Sequence, residues 1–84
     1  MNKYISQTLN LSEQAVANTL KLLSEGATIP FISRYRKEAT GGLDEVQIAA
    51  IDTAHKKLVE LDKLLYMYVL YYFYILHIKS LIQE

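Results

Sequence analysis

Three cations fall within one four-residue stretch, Arg34, Arg36 and Lys37, and they are the side chains best suited to binding chemistry. A guanidinium fork grips phosphate oxygens in pairs, and a lysine adds a point charge, so nucleic-acid contact is one reading. The other is internal pairing with Glu38, Asp44 or Glu45, which would tie this stretch to the helix that follows. Charge balance favours the internal reading. The chain has nine basic and nine acidic residues, whereas affinity for nucleic acid grows with the number of phosphates neutralised.

The remaining reactive side chains lack the partners that catalysis needs. Asp44 and Glu45 are adjacent carboxylates at the start of a helix, where capping accounts for them. Ser24 and Ser33 have no histidine in a nucleophile setting. Gly41–Gly42 lacks the lysine and the spacing of a phosphate-cradling loop and reads as a turn between helices. There is no cysteine, and His55 and His77 stand 22 residues apart. Neither a thiolate site nor a histidine–acid metal motif is expected, and no cofactor is implied. His55, beside Lys56 and Lys57, reads as exposed. No catalytic residue is expected.

The elements that position these residues are helical. Tyr4, Ile5 and Leu9 share a face in a short first segment. Ser12 caps a second helix over Glu13–Glu25, with Glu13 in its first turn and Leu11 and Val16 forming a hydrophobic staple. Gly26 ends it by adopting positive φ. Thr28 and Pro30 open a short helical joint, in which Ile29, Phe31, Ile32 and Tyr35 are expected to plug the space between the flanking helices. Asp44 and Gln47 form a capping box at the head of a long helix, with Leu43 and Ile48 as a second staple. Ile51, Ala54, Leu58, Leu61 and Leu65 follow at steps of three and four, a narrow packing seam. Lys56, Lys57, Glu60 and Asp62 form its solvated face.

After Lys63 the composition changes. Met1–Lys63 holds eight residues of each charge, while Leu64–Glu84 holds only Lys79 and Glu84. Leu64–Ile78 is a 15-residue run without formal charge that contains five of the seven tyrosines. A helix apolar on every face must be buried in protein or lipid, and Leu64–Ile82 reaches spanning length with Lys79 snorkelling near one end. The β-branched and aromatic content also suits a strand. The tyrosines could stack bases, but no basic groove surrounds them. Exposed apolar area of this size predicts self-association. Met1–Asn10 is polar and mixed, without a signal peptide's apolar core, so the first part of the chain reads as cytoplasmic.

The stretch GATIPFISRYRKEATGGLDEVQI, Gly26–Ile48, resembles the N-terminal region of the Tex family, bacterial transcription accessory proteins related to a eukaryotic transcription elongation factor. The resemblance extends over residues 1–63, with LSEQAVANTLKLLSEG before the stretch and LVELDK after it. It implies a cytoplasmic, multidomain, mainly helical protein that binds nucleic acid. Such proteins have a helix-rich N-terminal region, a nuclease-like central domain, helix-hairpin-helix elements and a C-terminal OB-fold domain that binds RNA. It implies no catalytic residue. Arg34, Arg36 and Lys37 match the family's stretch and are the candidate nucleic-acid-binding residues.

Residues 64–84 depart from that pattern. Leu, Tyr, Ile and Phe are residues that AT-rich codons specify, so an out-of-frame or fused tail is one origin, and a selected anchor is the rival. The expected fold is all-α: a short helix, a helix, a short helical joint and one long C-terminal helix. The expected role is an N-terminal scaffold fragment of a Tex-like nucleic-acid-binding protein, without the C-terminal RNA-binding domain. Its expected partners are RNA or DNA through the parent family, the remaining Tex domains, and further copies through the tail. The alternative is a small membrane-associated protein anchored by Leu64–Ile82.

Overall fold

The computed structural model describes residues 1–83 and contains five helices. They are α1 (Asn2–Leu9), α2 (Glu13–Ser24), α3 (Ile29–Tyr35), α4 (Lys37–Thr40) and α5 (Glu45–Ile82). Among the described residues there is no strand, and the tail is helical throughout. A strand there would leave its backbone groups without a neighbouring strand, whereas a helix satisfies them within the segment.

Local chemistry sets the helix ends. Asn10 takes the left-handed conformation (φ 57°), and the Leu11 amide donates to the Ser6 carbonyl at 2.9 Å, closing α1. The Ser12 hydroxyl accepts from the Ala15 amide at 3.0 Å. At the other end of α2, Ala27 N–H donates to Leu22 C=O and Gly26 N–H to Leu23 C=O, both at 3.1 Å. This six-to-one, five-to-two pair requires positive φ at Gly26, observed at 96° and readily adopted only without a Cβ. The Thr28 hydroxyl accepts from the Phe31 amide, and Pro30 sits in the first turn of α3, where a missing N–H leaves nothing unsatisfied. At α5 the capping box is reciprocal: Gln47 N–H donates to Asp44 Oδ1 at 2.8 Å, and Asp44 N–H donates to Gln47 Oε1 at 3.0 Å.

α2 touches every other helix, and α5 crosses α1, α2 and α3 with its N-terminal half. Ile5, Val16, Ile32, Ile48 and Ile51 meet in the centre, each fully buried. Leu43 is buried beside Ile48, as the staple requires, and Leu11, Leu20, Ala54 and Leu58 pack around the rim. Among the described residues, all buried side chains lie between Ile5 and Ile51. The core therefore closes within the first 63 residues. Two buried hydroxyls behave differently. Thr40 accepts from the Leu43 amide at 3.2 Å and anchors the turn into α5, whereas the Thr19 hydroxyl has no hydrogen-bond partner. An unpaired buried hydroxyl costs stability.

The structure corrects the sequence reading at four points. The joint is two helices, because Arg36 (φ −124°, ψ 38°) leaves helical geometry and ends α3 before α4 begins. Within α3 only the Ile29/Ile32 stripe faces the core. Phe31 and Tyr35 do not plug the interhelical space: they are 46% and 62% exposed and pair on the outside, ring centroids 5.4 Å apart. The α5 seam is covered only as far as Leu58, and Leu61 and Leu65 are exposed because only Met1 and Tyr4 at the start of α1 lie beside them, along an open hollow. His55 is half-buried rather than exposed.

α3 therefore makes a paired prediction. Ile32→Ala is expected to lower the unfolding free energy by roughly 2–5 kcal/mol, the cost of a core cavity. Tyr35→Ala is expected to cost no more than about 1.5 kcal/mol, the scale of one aromatic pair. Urea unfolding of a chain ended at Lys63, which retains every buried side chain, checks both. Equal losses would contradict the orientation of α3.

Candidate nucleic-acid interface

The three candidate cations straddle the α3–α4 break. Arg34 lies in the last turn of α3 and is exposed, Arg36 is the junction residue and is half-buried, and exposed Lys37 opens α4. Arg36 is already engaged: its Nε donates to Glu38 Oε1 at 2.8 Å, on the surface. The Arg36 guanidinium beside Glu38 holds that carboxyl below its ordinary range, helped by a hydrogen bond from the Glu38 backbone. Internal pairing is therefore realised at Arg36, but within the joint. Of the three partners the sequence offered, Arg36 takes Glu38 and not Asp44 or Glu45, which sit at the head of α5 while α4 leans on α2 and α3.

What fixes the joint is a neutral tie. Asn18 Nδ2 on α2 donates to the Ala39 carbonyl of α4 at 2.7 Å. A polar hollow beside it is lined by Asn18, Lys21, Glu25, Arg36 and Ala39. Lys21 thus joins Arg36 on one surface, which the sequence reading missed. The available signal was its place on the polar face of α2, but nothing local relates that face to a residue 15 positions later. The hollow holds Lys21 and Arg36 against Glu25, with Glu38 already on Arg36. Such a balanced surface gives only a weak electrostatic hold on a polyanion.

Other side chains with reactive groups serve the backbone. Ser33 Oγ donates to the Pro30 carbonyl and Ser24 Oγ to the Lys21 carbonyl. Lys56 pairs with Asp52 at 3.0 Å along α5. Among the described residues, no three His, Cys, Asp or Glu side chains converge as a metal site would require.

Two apolar surfaces stand apart from this polar one. A groove of about 570 Å³ runs between α1 and α5, lined by Tyr4, Leu9, Val46, Ala50, Leu58 and Leu61 among others. Beyond Leu65, the last α5 residue in a hollow shared with Met1 and Tyr4, α5 projects alone, and every side chain from Leu64 to His77 is exposed. The whole molecule measures 65 × 24 × 16 Å as a result.

A cap-defined helical head with balanced charge, continued by a long exposed helix, is an all-α domain. The family described as Tex-like protein N-terminal domain matches residues 1–64, and the chain belongs to that family. Transcriptional accessory protein Tex of Neisseria gonorrhoeae is 41% identical over 63 residues, covering 75% of this chain and 8% of that protein. Protein YhgF of Escherichia coli is 41% identical over 61 residues, covering 73% of this chain and 8% of that protein. Protein tex of Bordetella pertussis is 57% identical over 37 residues, covering 44% of this chain and 5% of that protein. The chain thus spans less than a tenth of the length of these curated relatives. No solved structure shows a significant match.

The Arg36–Glu38 pair can be read directly. In a carboxyl-detected NMR titration, Glu38 is expected to titrate below the ordinary glutamate value of 4.5. Arg36→Gln should move it back upward, because the neutral side chain no longer favours the carboxylate. An unchanged titration in that variant would show that Arg36 is not the cause.

Proposed function

We propose that this chain acts as the N-terminal scaffold of a Tex-like, nucleic-acid-binding transcription accessory protein. In this reading it is a non-catalytic, cytoplasmic head that organises the start of a long helix, while the principal grip on nucleic acid lies in other domains. The relatives' printed names supply the transcription accessory role, and family membership supports carrying it to this chain.

One observation carries the scaffold reading: the polar side chains that could do chemistry are spent on structure. Ser12, Thr28, Thr40, Asp44 and Gln47 each accept a backbone amide, and Asn18 donates to a backbone carbonyl across two helices. A group committed to a cap is not free to act as base or nucleophile. The exposed cations, Arg34 and Lys37, offer a supplementary contact to a phosphate backbone, with Arg36 joining only by exchanging Glu38 for phosphate.

The test is titration of a fluorescent single-stranded RNA with the full chain across salt concentrations. Two or three phosphate contacts give a log–log salt slope of about −1.4 to −2.1. The expected result is weak binding with a slope in that range, abolished by joint Arg34→Ala, Arg36→Ala and Lys37→Ala substitution. Tight binding that survives either the triple substitution or high salt would place the interface elsewhere and contradict this reading.

A further inference from the structure

We propose that Leu64–Ile82 of α5 is a bilayer-spanning segment, with the α1–α4 head on the cytoplasmic side. This goes beyond the scaffold reading and does not depend on nucleic-acid binding. The observation behind it is the distribution of exposure around α5. Leu64–His77 is exposed on all faces, without a polar stripe. A second helix laid alongside would cover one face and leave the others in water. Lipid covers the whole circumference, which is what an all-round apolar helix requires.

Length agrees. By length and composition α5 is able to cross a membrane, and its most apolar window is not buried at all inside the protein. Leu64–Ile82 rises about 28 Å along the helix axis at 1.5 Å per residue, close to the roughly 30 Å hydrocarbon core of a bilayer. Packing of α5 against the buried core ends at Leu58, and the start of α1 flanks it only as far as Leu65. Glu60, Asp62 and Lys63 then fall in the few ångströms that belong to the headgroup layer. At the far end Lys79 lies one turn from Ile82 and reaches the opposite headgroups by extending its aliphatic stem.

Charge gives the orientation. Lys56, Lys57 and Lys63 lie on the head side of the run, and Lys79 lies at the other end. The lysine-rich flank stays in the cytoplasm. Tyrosine hydroxyls inside hydrocarbon need partners. Tyr66 is within reach of the head-side interface. Tyr68, Tyr71 and Tyr72 share one face at i, i+3 and i+4 spacing, so a single neighbouring helix in the membrane can receive all three.

The absence of cysteine makes the test clean. Gln7→Cys on the exposed side of α1 and Gln83→Cys beyond the span are made separately in the full chain and expressed in a bacterium. Membranes are floated on a sucrose gradient and washed with alkaline carbonate. Intact cells are treated with an impermeant maleimide. The expected result is flotation that resists carbonate, labelling of Gln83→Cys in intact cells, and labelling of Gln7→Cys only after lysis. A chain carrying Leu70→Lys and Phe73→Lys should lose at least about tenfold of the membrane-bound fraction, because each mid-span lysine strongly disfavours insertion. The proposal is overturned if the chain sediments as a lipid-free assembly, if carbonate releases it, if both cysteines are labelled only after lysis, or if the double-lysine chain partitions unchanged.

Discussion

The position at which α5 begins governs the rest of the structure. The reciprocal hydrogen bonds between Asp44 and Gln47 set the first turn, and the Leu43–Ile48 staple sets the angle at which the chain enters it. Given that start, Ile48 and Ile51 fall on one face at a spacing of three and close the core against Ile5, Val16 and Ile32. A shift of one residue would rotate that face by roughly 100°, turning the two isoleucines out of the core and the neighbouring residues in. The turn that delivers the chain to this point is anchored from within, by the Thr40 hydroxyl accepting the Leu43 amide.

The same register explains where packing stops. α1, α2 and α3 are short, and they lean on the first half of α5. Past Leu58 α5 no longer packs on the buried core, only the start of α1 flanks it as far as Leu65, and the rest is helical through its own hydrogen bonds alone. One continuous element thus belongs to two environments. Its N-terminal half is amphipathic and half-buried. Its C-terminal half has no amphipathic pattern, which is why its apolar side chains are exposed in every direction. The apolar groove between α1 and α5 runs along that N-terminal half, from Val46 to Leu61.

Much of this was legible in the sequence because it is local. Ser12, Thr28, Asp44 and Gln47 act as the caps their positions indicate, Gly26 ends α2, and both staples close. The family was legible too, from the residues around the joint. The misreadings share a physical origin: they depend on which of two equivalent faces turns inward, or on contacts between distant residues. α3 carries two apolar stripes, Ile29/Ile32 and Phe31/Tyr35, at equally good helical spacing. Packing against α5 selects the slimmer aliphatic one and leaves the aromatics outside. The split at Arg36, the tie from Asn18 to Ala39 and the shared hollow of Lys21 and Arg36 arise from tertiary placement of α4 on α2. The candidate cations were legible by type, and of the partners the sequence offered Arg36 takes Glu38, two residues away.

The central claim is that one folded core ends near Leu58 and that α5, flanked by the start of α1 for about two further turns, continues past Leu65 without protein support. Residue-resolved amide hydrogen exchange of the full chain, in dilute aqueous buffer and then in phospholipid bicelles, tests this most directly. The account predicts strong protection around Ile48–Ala54 in both media. It also predicts fast exchange beyond Leu61 in water that becomes slow from Leu64 to Ile82 in bicelles. Protection in a monomer that runs undiminished from Ile48 through Tyr72 in water would mean that the second half of α5 packs against the protein, and the account would be wrong.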